Sequence, residues 1–148
     1  MFGDMAVAGV VCGKTGFGFT VVDAGSAEDH DIVAPGNLDS RGAILNWLAE
    51  EANRLVVSTE VSLVLVQRPG GGKFNPSPER TEVESAIQIG LHRAGATCDR
   101  MNREQVRAAL GIPKAKGAYE SLLRRSDVAA RSNAQRRDQF LLALAAQV

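Results

Sequence analysis

Scarcity is the first thing this chain of 148 residues shows. It holds two cysteines, Cys12 and Cys98, far apart and without a CxxC spacing. A disulfide framework and a cysteine zinc site are therefore both excluded, and buried thiols are expected. Its two histidines, His30 and His92, have no Cys, Asp or Glu partner at a metal-binding spacing. His30 reads as part of an acidic loop and His92 as a residue near a helix end, where an imidazolium suits the helix dipole. No serine sits in a nucleophile-elbow pattern, which removes the Ser-based triad. No apolar run approaches the roughly 20 residues that a membrane helix needs, and the basic-then-apolar order of a secretion signal is missing, so no membrane association and a cytoplasmic setting are expected. Aromatic residues make up 5% of the chain.

What remains fits one globular domain over residues 1–148, since 45% of the residues are apolar and the length suffices for a sizeable core. The formal net charge of zero conceals an asymmetry. Residues 1–100 carry 8 Lys/Arg against 13 Asp/Glu, net −5, and residues 101–148 carry 9 against 4, net +5. A basic half of this kind suits a nucleic-acid face, whereas overall neutrality suits a protein-interaction domain.

The pattern of elements is mixed. Met5 to Cys12 and Phe17 to Asp23 are β-branched, apolar runs around a Gly-Lys-Thr-Gly break, which predicts an antiparallel hairpin. Ala24 to Pro35 is polar and uneven, with a short strand expected near Ile32 and Val33. Asp39 or Ser40 caps a helix whose apolar positions Ile44, Leu48, Ala52 and Leu55 repeat near 3.6. Leu63 to Val66 reads as a strand covered on both faces, and Pro69 to Pro78 as a flexible loop. Ser77-Pro78 opens a second helix with Val83, Ala86, Ile87, Gly90 and Leu91 on one face. A strand near Ala96 to Asp99 follows, then a helix over Asn102 to Leu110 that starts with a capping box and stops at Gly111-Ile112-Pro113. Two further helices are expected over about 117–125 and 133–147, the last with Phe140, Leu141, Leu144 and Ala145 inward.

Gly13-Lys14-Thr15 ends like a phosphate-binding loop. Such a loop needs a glycine five residues upstream and a helix after it. Here Ala8 stands upstream and a strand follows, so the stretch predicts a turn with Lys14 exposed.

The run from Gly9 to Gly18 (GVVCGKTGFG), Val64 to Pro69 (VLVQRP), Val106 to Gly111 with Lys114 or Lys116, and Gln135 to Asp138 before the Phe140 to Ala145 run together resemble the RNase H-like superfamily. The Holliday-junction resolvase, or RuvC-like, branch is the nearest resemblance. It implies a mixed five-stranded α/β sheet, with a leading antiparallel hairpin and later parallel strands, flanked by helices. It also implies phosphodiester cleavage with two Mg²⁺ ions held by clustered carboxylates, as hard cations require. Carried across, the first-strand Asp falls on Val11, the fourth-strand Glu on Gln67 and the first acid of the last helix on Gln135; Asp138 alone keeps its carboxylate.

The resemblance thus implies a catalytically inactive, nucleic-acid-binding domain that recognises branched or structured DNA as a homodimer, with no cofactor and at most a weak metal site at Asp138. The expected contacts are Lys14, Arg68, Lys73, Lys114, Lys116, Arg136 and Arg137, with Arg124, Arg125 and Arg131 as further cations and Phe74 as the residue to stack on a base or wedge into a junction. One alternative is an Mg²⁺-dependent endonuclease that uses Asp138 with relocated acids from Asp4, Asp23, Glu60, Glu82 or Glu84; their plain reading is solvated surface. A protein-interaction domain and a helix-turn-helix over Glu104 to Tyr119 are the others.

Overall fold

A computed structural model describes residues 5–68, 77–114, 117, 121, 124 and 133–148. Five strands form one sheet: β1 (Val7–Cys12), β2 (Gly16–Asp23), β3 (Ser26–Val33), β4 (Leu63–Gln67) and β5 (Thr97–Met101). The described helices are α1 (Arg41–Thr59), α2 (Pro78–Arg93), α3 (Arg103–Ala109) and α4 (Ala134–Ala146). The sheet order is β3-β2-β1-β4-β5, with β1/β2 and β2/β3 antiparallel and β1/β4 and β4/β5 parallel. This is the mixed α/β sheet expected from the sequence.

Local chemistry accounts for most boundaries. The Ser40 side chain accepts from the Ala43 N–H and starts α1; Ser77 does the same for Arg80, with Pro78 opening α2. Asn102 and Gln105 exchange both bonds of a capping box at α3. Gly13 donates to the Gly16 carbonyl at 2.8 Å and the chain reverses directly into β2, so Gly13-Lys14-Thr15 is a hairpin turn and no helix start receives a phosphate.

Strand alternation then divides the core in two. Ala8, Val10, Phe19, Val64 and Val66 face α1 and α2, where they meet Leu48, Ala52, Leu55, Val83, Ile87 and Leu91. Val7, Val11, Val22 and Leu65 face the opposite way and meet Phe140, Leu141 and Leu142 of α4, with Val106 of α3. On this second face β1 and β2 have no side chain at two central positions. A Cβ at Gly9 would lie 2.0 Å from the Gln139 carbonyl oxygen, and one at Gly18 would lie 1.8 Å from Gln139 Oε1. Glycine lets α4 rest directly on the strands.

Two expectations need correction. The stretch after β2 is a complete eight-residue strand paired along its whole length, from Gly16↔Val33 to Asp23↔Ser26, and not a short one near Val33. Its partner is the open edge of β2, so backbone bonding decides the structure and the side chains are free to be polar, as suits an edge. His30 therefore belongs to β3, with its ring edge-on to Phe19, and not to a loop. Asp4, Lys73, Phe74, Lys116, Arg125, Arg131 and most of the segments expected as the 69–78 loop and the 117–125 helix lie outside the described residues.

Candidate functional site at the carboxyl ends of the parallel strands

β1, β4 and β5 run parallel and finish together, so their last residues share one edge of the molecule. Val10 pairs with Val66 and Gln67 with Met101, which places Val11 and Gln67 next to each other at that edge. The first turn of α4 arrives over the same place: Gln135 Nε2 would lie 2.7 Å from a Cβ on Gly18, and Gly18 is the register partner of Val11. One helical turn on, Asp138 is buried and accepts from Arg103 Nη2 at 3.0 Å. Arg103 opens α3 two residues after Met101. The four positions that the resemblance marked are thus distributed around one end of the sheet.

Three of them have a polar partner that the sequence motifs do not name: Arg80 for Gln67, Gln139 for Gln135 and Arg103 for Asp138. Gln67 Oε1 accepts from Arg80 Nη2 at 3.1 Å, so a guanidinium from the first turn of α2 covers the end of β4. Arg68 follows β4 and donates to Gln105 Oε1 of α3 at 3.1 Å. Gln135 Nε2 donates to Gln139 Oε1 at 3.1 Å. The fully buried Gln139 donates to Thr20 Oγ1 at 2.9 Å, and Thr20 donates to Asp29 at 2.6 Å, a polar chain from α4 through β2 to β3. Arg41 donates to the Lys14 carbonyl at 2.7 Å, the Glu79 carbonyl at 2.8 Å and Glu82 Oε1 at 2.9 Å, which ties the hairpin turn to the start of α2.

The expected cations separate accordingly. Lys14 and Arg68 stand at this end of the sheet, and Lys114 is exposed beyond α3. Arg136 is turned to β3, where it pairs with Asp31; that hydrogen bond and charge hold its pKa above the usual arginine value. Arg137 has its Nε buried without a hydrogen-bond partner. Arg124 is exposed.

Among the described residues the relocated acids do not assemble. Asp23 is exposed at the far end of β2, Glu60 caps α1 with φ 56°, and Glu82 is held by Arg41. Glu84 is not solvated surface: it is 4% exposed on α2 and ion-paired with Arg100 of β5. It faces Cys12 from the α1/α2 side of the sheet; burial first, and the Glu84 charge second, push that thiol up to about 12. Burial, then Asp99, push Cys98 up to about 11.

Among the described residues no three of His, Cys, Asp and Glu gather to hold a metal ion. The donor set at the strand ends does not suit a pair of Mg²⁺ ions: Val11 has no oxygen, the Gln67 oxygen is neutral and engaged by Arg80, and the Asp138 carboxylate is engaged by Arg103. Nor is the place nearly uncharged, as the marked positions alone imply. The guanidinium groups of Arg80 and Arg103 stand there. Their partners lie 13 and 35 residues away in sequence, so no local pattern announces them.

No family model matches the chain, and no curated protein does. Solved structures do match it. RuvC of Thermus thermophilus in complex with a Holliday junction substrate superposes with a TM-score of 0.72 at 19% identity, over 95% of this chain and 91% of that one. The yeast mitochondrial Holliday junction resolvase Ydc2 matches with a TM-score of 0.61 at 10% identity, over 97% and 78%. At such identities the likeness speaks for architecture, and on that architecture the sequence resemblance and the coordinates agree: this chain has the RuvC-like form of the RNase H-like fold.

Proposed function

We propose that the chain, as one domain over residues 1–148, is a RuvC-like nucleic-acid-binding protein that recognises branched or structured DNA without cleaving it. A homodimer in a cytoplasmic setting is part of the same reading. The observation that carries it is the occupancy of the strand ends by Val11, Gln67 and an Asp138 already paired with Arg103. Two-ion hydrolysis needs negative charge between the ions, and this donor set supplies little. Binding is a separate matter, because cationic side chains on backbone phosphates dominate affinity for nucleic acid.

A fluorescent four-way junction incubated with the protein tests it. The expected result is a retarded complex on a native gel, no nicked product with Mg²⁺ or Mn²⁺, and affinity that falls steeply from low to moderate salt. Nicking abolished by Asp138→Asn would establish the nuclease instead. Preference for a linear duplex would favour a helix-turn-helix, and neither binding nor nicking would favour a protein-interaction domain.

A further inference from the structure

From the disagreement between this donor set and a divalent-metal site, we infer that guanidinium groups stand in for the cations, so that the carboxyl ends of β1 and β4 form a metal-independent site for a phosphodiester oxyanion. The inference rests on the reading above and specifies its contacts. Arg68, Arg80 and Arg103 bring three guanidinium groups to this edge, beside the Asp138 carboxylate. The nearby Glu84 and Arg100 cancel each other.

Two details make this a place for an anion and not merely a salt-bridged surface. Gln67 holds Arg80 with an amide oxygen, which orients the guanidinium without neutralising it; a carboxylate there would do both. Arg80 also has its Nε buried without a hydrogen-bond partner, a donor whose desolvation is uncompensated within the protein. Arg103 pairs with Asp138 through Nη2 while its side chain stays 60% exposed at the rim. A guanidinium offers five N–H donors in a planar fork matched to phosphate oxygens, which suits Arg80 in particular, held by a neutral amide. Lys14, exposed in the hairpin turn that follows β1, is fixed through its carbonyl by Arg41.

The test uses the full chain and two probes. Anisotropy of a labelled four-way junction in EDTA is expected to show undiminished binding, with Arg80→Gln and Arg103→Gln each weakening it roughly tenfold and lowering the salt slope by about one. Gln67→Glu is the sharper variant: it keeps shape and hydrogen bond, so the denaturation midpoint holds or rises, yet it neutralises Arg80 and weakens the junction as much as Arg80→Gln does. A residue with only a structural role would not give that pair of results. Variants that bind like the parent, or binding that requires Mg²⁺, overturn the inference. The second probe is inorganic phosphate, with the arginine Nε–H resonances followed by NMR. Movement of the Arg80 and Arg103 signals without junction binding keeps the anion site and overturns the nucleic-acid reading. Still resonances with no junction binding overturn both.

Discussion

The two faces of the sheet are built to different rules. On the α1/α2 face large apolar side chains interlock: Phe19, Leu48, Ile87 and Leu91 are fully buried and dispersion does the holding. On the α4 face β1 and β2 give up side chains at Gly9 and Gly18, and a buried amide, Gln139, takes the space. The first arrangement yields stability from volume and tolerates some repacking. The second sets the depth and rotation of α4 through backbone contact and a hydrogen-bonded chain, and thereby places Gln135 and Asp138. The difference teaches that this molecule keeps its positional accuracy on the face that carries the candidate site.

The largest expected effect comes from attacking that accuracy. Gly9→Val would drive a side chain into the Gln139 carbonyl, a backbone atom that cannot swing aside, and should cost about 3 kcal/mol or more. Urea unfolding measures the loss, and the junction complex should weaken in whatever protein remains folded. Leu48→Ala, on the other face, should cost about 3 kcal/mol through its cavity. Junction affinity, measured where the variant is folded, should not change; if it falls as it does for Gly9→Val, the faces are not separable. Gln139→Met keeps volume but strips the partner from Thr20 and Gln135, for about 1–2 kcal/mol. A neutral result would show the polar chain to be dispensable.

The smallest effect is a pH dependence confined to the α1/α2 face. Cys12, whose pKa is pushed up to about 12, keeps its proton in the folded chain while the unfolded thiol, near 9, loses it. The stability from burying the neutral thiol is complete below pH 9 and declines as pH rises toward 12. Urea midpoints taken from pH 8 to 10 should therefore fall less for Cys12→Ala than for the parent.

How far the sequence was legible follows from the range of each interaction. Ser40, Ser77-Pro78 and Asn102 with Gln105 act within three or four residues, and each helix begins where those residues put it. Leu63 to Val66 and the hairpin runs were equally plain. The eight residues of β3 were not, because their order comes from β2's backbone and leaves no apolar trace in Glu28-Asp29-His30-Asp31. Glu84 looked like surface because its partner, Arg100, lies on a strand sixteen residues away. The site divided the same way: Val11, Gln67, Gln135 and Asp138 were found as positions in motifs, while Arg80 and Arg103 went unnoticed as ordinary helix-start arginines.

Sequence alone determined the leading hairpin, β4 and the starts of α1, α2 and α3, since periodicity, caps and turns are short-range properties written in consecutive side chains, and its motifs carried the resemblance that implied the architecture. Only the tertiary structure decided the charge of the strand ends. Electrostatic character belongs to groups brought within a few ångströms of each other, and here the first turns of α2 and α3 and the second turn of α4 deliver two arginines and one aspartate to a place that each chain segment, read separately, leaves without a sign.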